Sequence, residues 1–141
     1  MSSKLSVAVH ILTMLALKGE CIVTSELIAE SVNTHPVVIR RLMGLLREAG
    51  FVDSRPGARG GWLLTADAAS ITLGDVFRAV EPETELFAMH RAGPNPRCPV
   101  GHEMQCVLGE LYAEIRRGVD ELLARTTIAD IVAAIRGRIA T

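Results

Sequence analysis

Four residues, Asn33-Thr34-His35-Pro36, separate two short stretches of helical apolar spacing, and no other feature constrains the fold as much. Asn33 tolerates a left-handed backbone, Thr34 is a capping residue type, and Pro36 suits the first turn of a helix. The chain must therefore stop one helix and start another almost at once. Before the break, VTSELIAESV reads as a short helix. Thr24 or Ser25 caps it, Glu26 lies in the first turn where the helix dipole favours an anion, and Leu27, Ile28 and Val32 face inward. After the break, HPVVIRRLMGLLREAG reads as a longer helix. Ile39, Leu42 and Leu46 form its buried stripe, Met43 and Ala49 join them, and Gly50 closes it. His35, Val37, Arg40 and Arg41 occupy the outward face at its start.

The next segment, DSRPGARGGWLLT at residues 53–65, sets two arginines, a proline and three glycines between apolar runs. Glycine and proline mark a turn, so two strands are expected near residues 51–55 and 61–64. A turn needs no arginines, and Arg55 and Arg59 are free to reach outward. The formal net charge is −1, yet residues 35–62 hold five arginines against Glu48 and Asp53, a local +3 on a remainder of −4. A basic patch on an acidic body is an electrostatic footprint for nucleic acid, although scattered solvated charges give the same number.

The remaining elements frame this segment. Residues 4–17 read as a buried helix with Leu5, Val9, Leu12 and Ala16 in register, Ser3 as N-cap, Gly19 as terminator and His10 as a satisfied core histidine. ITLGDVFRAVE starts a helix with a capping box of Thr72 and Asp75, and Ile71 and Val76 can form a hydrophobic staple. Residues 82–101 hold four prolines and read as a loop. A long helix is expected over 102–125, with an apolar stripe of Met104, Leu108, Leu111, Ile115 and Leu122. Thr127 and Asp130 form a second capping box for a last helix through Ile139. Hydrophobic residues make up 49% of the chain but aromatic ones only 4%, so the core is aliphatic. The apolar run LSVAVHILTMLAL is interrupted by His10 and Thr13 and is too short to span a bilayer, so a cytoplasmic protein without a membrane partner or signal peptide is expected.

Helix, tight turn, helix and hairpin is the order of a winged helix-turn-helix. The fold class expected is mostly α with a small β-hairpin wing, followed by a long C-terminal dimerisation helix. The domains divide as 1–81, a DNA-binding winged helix; 82–101, a loop and sensor region; and 102–141, the dimerisation helix with a C-terminal helix. The helix after the break is narrow enough for the major groove of double-stranded DNA, where arginine grips a guanine edge or a phosphate. A glycine-rich wing lets the backbone approach the sugar-phosphate chain, and a tip arginine enters the minor groove. Thr34, His35, Val37, Arg40, Arg41, Arg55 and Arg59 are the DNA-binding candidates. A long helix of about 36 Å exposes an apolar face that a second copy would cover, through Leu108, Leu111, Ile115 and Leu122; folding back onto its own core is the other option. A protein-interaction module on the same fold, without DNA binding, remains the alternative function. An enzyme is not expected: a Cys98–His102 dyad lacks any evident oxyanion site.

VTSELIAESVNTHPVVIRRLMGLLREAGFVDSRPGARGGWLL, ITLGDVFRAVE and TTIADI together resemble the Rrf-two family of bacterial winged helix-turn-helix transcriptional regulators. The resemblance covers nearly the whole chain in element order. It implies a sequence-specific regulator, most often a repressor, that binds a palindromic operator as a homodimer with crossed long helices. It also implies that Val37 and Arg40 read bases, and that Arg55 and Arg59 flank the wing arginine's place, which Pro56 holds here. Cluster-sensing members carry three cysteines at the loop and long-helix start. Here Cys106 matches the last, Cys98 lies seven intervening residues earlier, and no third cysteine is near.

Several readings of that region stay open. An iron–sulfur cluster needs four protein ligands, usually thiolates. His102 and Cys106, four apart, could share a zinc ion with Cys98 and His90. Cys98 could be a redox or electrophile sensor, since Arg97 and a helix N-terminus favour the thiolate, with Cys106 resolving it as a disulfide. Or Cys106 is a small buried hydrophobe and Cys98 a loop residue. No bound cofactor is expected as the default. Cys21 reads as structural, and Trp62 as the residue that packs the wing on the body.

Overall fold

A computed structural model describes residues 2–83 and 85–140. The elements run α1 (Lys4–Lys18), α2 (Ser25–Val32), α3 (Pro36–Glu48), β1 (Val52–Arg55), β2 (Gly61–Leu64), a single 3-10 turn (Ala68–Ser70), α4 (Leu73–Val80), α5 (Pro99–Leu123) and α6 (Ile128–Ile139). Two compact units result, one of residues 1–82 with 124–141 and the other of residues 83–123.

In the first unit α1 runs through an aliphatic core and packs against α2, α3, α4, α6 and β2. Ala8, Ile11, Leu12 and Leu15 are fully buried, whereas Leu5, Val9 and Ala16 of the expected stripe are half-buried. A helix apolar on most sides and surrounded by neighbours has no single stripe to read. Thr13 is buried with them and donates its hydroxyl to the Val9 carbonyl at 2.7 Å. Ser3 makes no side-chain cap bond. His10 is not a core histidine: it lies on the exposed side, with Nε2 2.9 Å from Ser31 Oγ.

The turn between α2 and α3 follows from its residues. Thr24 Oγ1 accepts from the Leu27 amide at 3.2 Å and so fixes where α2 begins. Only Ile28 of α2 is then buried; Leu27, a position away around the helix, is 50% exposed rather than inward. Asn33 ends α2 in the left-handed region at φ 58°. The cap of α3 is His35 rather than Thr34, its Nδ1 accepting from the Val37 amide at 3.2 Å, with Pro36 as the first helical residue. Ile39, Leu42, Met43 and Leu46 are buried as expected. At the far end the Gly50 amide donates to Arg47 O (2.9 Å) and the Phe51 amide to Leu46 O (3.0 Å), with Gly50 at φ 84°. That paired pattern is a Schellman motif, and it turns the chain directly into β1.

β1 and β2 pair antiparallel from Val52↔Leu64 to Arg55↔Gly61. α4 and α6 both begin with the expected capping boxes, Thr72 with Asp75 and Thr127 with Asp130. The two caps also bond each other: Leu73 N donates to Thr126 O and Ile128 N to Ile71 O, both at 2.9 Å. This bridge brings α6 against α1, with Ile128 and Val132 buried, so α6 lies in the same unit as residues 1–82 rather than with the long helix.

In the second unit, α5 starts at Pro99, three residues ahead of the expected 102. Proline's fixed φ suits the first helical position, and the Cys98 carbonyl accepts the first intrahelical bond from His102 N at 2.8 Å. The helix ends at Leu123, spans about 38 Å and buries none of its residues. Among the described residues no helix is long and apolar enough to cross a membrane.

The capping boxes give a first prediction. The Thr72 backbone amide donating to Asp75, helped by the Thr72 hydroxyl and Arg78, holds the Asp75 carboxyl below its ordinary 3.8 against the opposing effect of burial. A depressed carboxylate stabilises the fold above its unfolded value and loses that contribution as pH falls through the folded one. Asp75→Asn should therefore cost about 1 kcal/mol at pH 7 in urea unfolding, and the gap to wild type should narrow as pH drops below 3.8.

Candidate nucleic-acid interface

The outward face of α3 presents Val37 (47% exposed), with Val38, Arg40 and Arg41 also exposed. Burial of Ile39, Leu42, Met43 and Leu46 on the opposite side leaves these as the free face. His35 begins it. Because Nδ1 accepts the Val37 amide, the neutral ring carries its proton on Nε2, a donor directed away from the cap. Thr34 is half-buried, and its amide donates to Ala29 O at 3.3 Å, so its backbone belongs to the turn while its hydroxyl makes no hydrogen bond among the described residues.

The wing is tied to this helix pair. Val23, just ahead of α2, exchanges two backbone hydrogen bonds with Trp62 of β2, each 2.8 Å. The Trp62 indole N–H donates to Ser25 Oγ at 3.2 Å, and the Arg47 guanidinium lies 5.8 Å from the ring centroid. Trp62 is half-buried, so it packs the wing on the body as its residue type suggested. Gly61 permits the approach: a Cβ there would stand 2.5 Å from Val23 O and 2.8 Å from Val23 C.

Asp53 sorts the arginines. Its Oδ1 lies 3.4 Å from Arg47 Nε and its Oδ2 3.6 Å from Arg55 NH1. Arg40, Arg41 and Arg59 make no ion pair among the described residues. Between the two wing arginines, Arg55 is shared with Asp53, and Arg59 at the exposed hairpin tip is uncommitted. The Arg47 contacts with Asp53 and Trp62 escape a sequence reading, since they join residues far apart in the chain.

The expected sensor region is organised differently. Cys98 and Cys106 are both exposed, so Cys106 is not a buried hydrophobe. Cys106 Sγ lies 3.8 Å from Glu110 Oε1, and His102 Nδ1 lies 3.1 Å from Glu103 Oε1. With the helix starting at Pro99, eight residues of rise separate Cys98 from Cys106 by about 12 Å, beyond the ~7 Å Cα limit of a disulfide. Among the described residues no three of His, Cys, Asp or Glu form a metal-holding group, so His90, Cys98, His102 and Cys106 are not brought together. These donors do not fit an iron–sulfur cluster or a zinc tetrahedron as they stand. Leu111, Ile115 and Leu122 are 44–60% exposed and Leu108 is half-buried; Val100 and Val107 extend the same face. The sequence reading omitted Val100 because it began the helix beyond it.

Two outcomes follow. Gly61→Ala should cost about 1–3 kcal/mol and shift Trp62 fluorescence to the red as the wing leaves Val23. Diamide treatment of the native protein should give no intrachain Cys98–Cys106 disulfide by mass spectrometry, whereas the same treatment in urea should produce it.

The model of the Rrf2 family, described as an iron-dependent transcriptional regulator, matches residues 1–134. The HTH-type protein YwnA of Bacillus subtilis is 42% identical over 131 residues, 93% of this chain and 96% of that one. The solved structure of CymR, the global cysteine regulator of B. subtilis, superposes with a TM-score of 0.71 at 29% identity, covering 95% of this chain and 96% of that one. T. potens IscR superposes with a TM-score of 0.71 at 25% identity, covering 96% and 87%. The winged-helix fold with its long helix agrees with these matches, and the chain belongs to the Rrf2 family of DNA-binding transcriptional regulators, which are not enzymes.

Proposed function

We propose that this regulator is a cytoplasmic repressor that binds a palindromic DNA site as a homodimer. The observation that carries the reading is the set of uncommitted cations, Arg40 and Arg41 on the free face of α3 and Arg59 at the wing tip, on one unit whose wing is bonded to the helix pair. Arg40 reads a guanine edge and Val37 packs on a thymine methyl. Arg41, Thr34 and the His35 Nε2–H hold phosphates, and Arg59 follows the minor groove. Arg55, shared with Asp53, contributes less. The exposed face of α5, with Leu111, Ile115 and Leu122 at its centre and Leu108 at its edge, is covered by the same face of a second copy. Two recognition helices then meet successive major grooves, and the occupied promoter excludes polymerase. The thiol response attached to this reading acts through Cys98 or Cys106 singly, or between protomers, because the two are too far apart along α5 to join. The DNA-free interaction module is disfavoured by the arginines, which such a module would not need.

Binding to genomic fragments at near-physiological salt tests the reading, and enrichment of a short palindrome is the expected result. Arg40→Ala should weaken that site by about 1–3 kcal/mol and relax its sequence preference. Arg59→Ala should weaken all sequences alike and lower the salt slope by about one. Leu111→Glu should yield a monomer in light scattering and lose operator binding. Equal, small losses from both arginine variants would sink the docking mode.

A further inference from the structure

The first strand of the wing carries an anion on the surface that is to meet a polyanion. The alternation that buries Val52 sends Asp53 and Arg55 to the opposite, outer face of β1. The Asp53 carboxylate reaches two cations, with Oδ1 3.4 Å from Arg47 Nε and Oδ2 3.6 Å from Arg55 NH1. Its own position is set by the backbone, since Oδ1 also accepts the Ser54 amide at 2.8 Å. The three side chains are 45–55% exposed, so a phosphate can approach the same guanidiniums from solvent. Arg47 has a second tie, its guanidinium lying 5.8 Å from the Trp62 ring centroid. Arg55 has a weaker one, with NH1 3.4 Å from the adjacent Ser54 carbonyl. Glu26 lines the cleft beside Arg55 without pairing to it, and Glu48 pairs with no arginine among the described residues. Asp53 is thus the acid that engages the arginines of the wing and α3.

The local structure does not need that negative charge. An asparagine side chain offers the same acceptor to the Ser54 amide, and ion pairs this exposed contribute little to stability. Against DNA the charge has a clear effect. A backbone phosphate must either take Arg55 from the carboxylate or approach an anion. We propose, on the reading that the wing docks on DNA, that Asp53 is an internal anion that occupies Arg55 and holds down the grip of the wing on the DNA backbone. Asp53 acts through Arg55 and is therefore a positioning residue. Phosphate contacts carry no base information, so its effect falls on operator and unrelated duplex alike.

Fluorescence anisotropy of the full chain on a labelled duplex of random sequence, across a salt series, tests this. Asp53→Asn should bind about three- to tenfold more tightly than wild type and steepen the dependence of log affinity on log salt by about one. Asp53→Glu, which keeps the charge, should bind like wild type. In an Arg55→Gln background, Asp53→Asn should give no gain. Urea unfolding of each variant confirms that the fold is intact. An unchanged affinity in Asp53→Asn, the same gain in Asp53→Glu, or a gain that survives in Arg55→Gln would overturn the proposal. Wild-type binding without any gain in Asp53→Asn removes the role of Asp53 alone. Absence of wild-type binding at every salt concentration removes the DNA reading, and this role with it.

Discussion

The two backbone hydrogen bonds between Val23 and Trp62 are the constraint on which the interface depends. Strands of four residues paired only with each other form a marginal hairpin. Val23 adds a short third partner, and it sits one residue ahead of the Thr24 cap that starts α2. The wing and the helix pair are therefore registered through main-chain atoms. Trp62 reinforces this from the side chain, through Ser25 on α2 and Arg47 on α3. Since the backbone holds this geometry, Val37, Arg40, Arg41 and Arg59 on the outer surface can vary without moving it. Gly61 is the weak point of the arrangement, because every other residue carries a Cβ into Val23.

Charge works on this surface by allocation rather than by stability. Asp53 is 45% exposed, and exposed ion pairs contribute about 0–1 kcal/mol, so its contacts with Arg47 and Arg55 do little for the fold. What they do is decide which cations remain. Arg47 is held over Trp62, Arg55 is shared, and the local surplus of positive charge is concentrated at the start of α3 and at the wing tip. The rest of the chain carries a net charge of −4. With an overall charge of only −1, long-range, sequence-independent attraction to a polyanion is kept low, and the local surplus is what remains to attract one.

The parts legible in the sequence are those whose cause is local. Thr72 with Asp75 and Thr127 with Asp130 cap their helices as spaced, Gly50 sets the Schellman turn, and the glycines mark the hairpin. The buried and exposed faces of α3 were readable because one side of that helix meets solvent. α1 was not, since it is enclosed on most sides and its apolar residues carry no single period; the exposure of His10 was lost for the same reason. The His35 cap was missed because threonine is the commoner capping type, although His35 is adjacent to the helix and Thr34 is a residue too early. No local pattern could announce the Val23–Trp62 and Thr72–Thr127 bridges, which join residues 39 and 55 positions apart. Yet those bridges decide where the wing sits and where α6 goes.

Pro99 has the farthest-reaching consequence in the second unit. A flexible segment from 82 to 106 could have gathered scattered cysteines and histidines around one metal. By starting the helix at 99, the proline fixes Cys98, His102 and Cys106 along a rigid rod, with Cys98 and Cys106 about 12 Å apart. His102 and Cys106 still share a helix face, but each contacts its own glutamate, Glu103 or Glu110, rather than the other. The family description is iron-dependent, and this chain keeps that family's fold, wing and long helix while its donors do not converge. On the proposed reading, DNA recognition and signal reception are separable: the first rests on backbone bridges within one unit, the second on side chains that a single helix boundary can disperse. On the proposed reading, a single exposed thiol, Cys98 or Cys106, supplies the input instead.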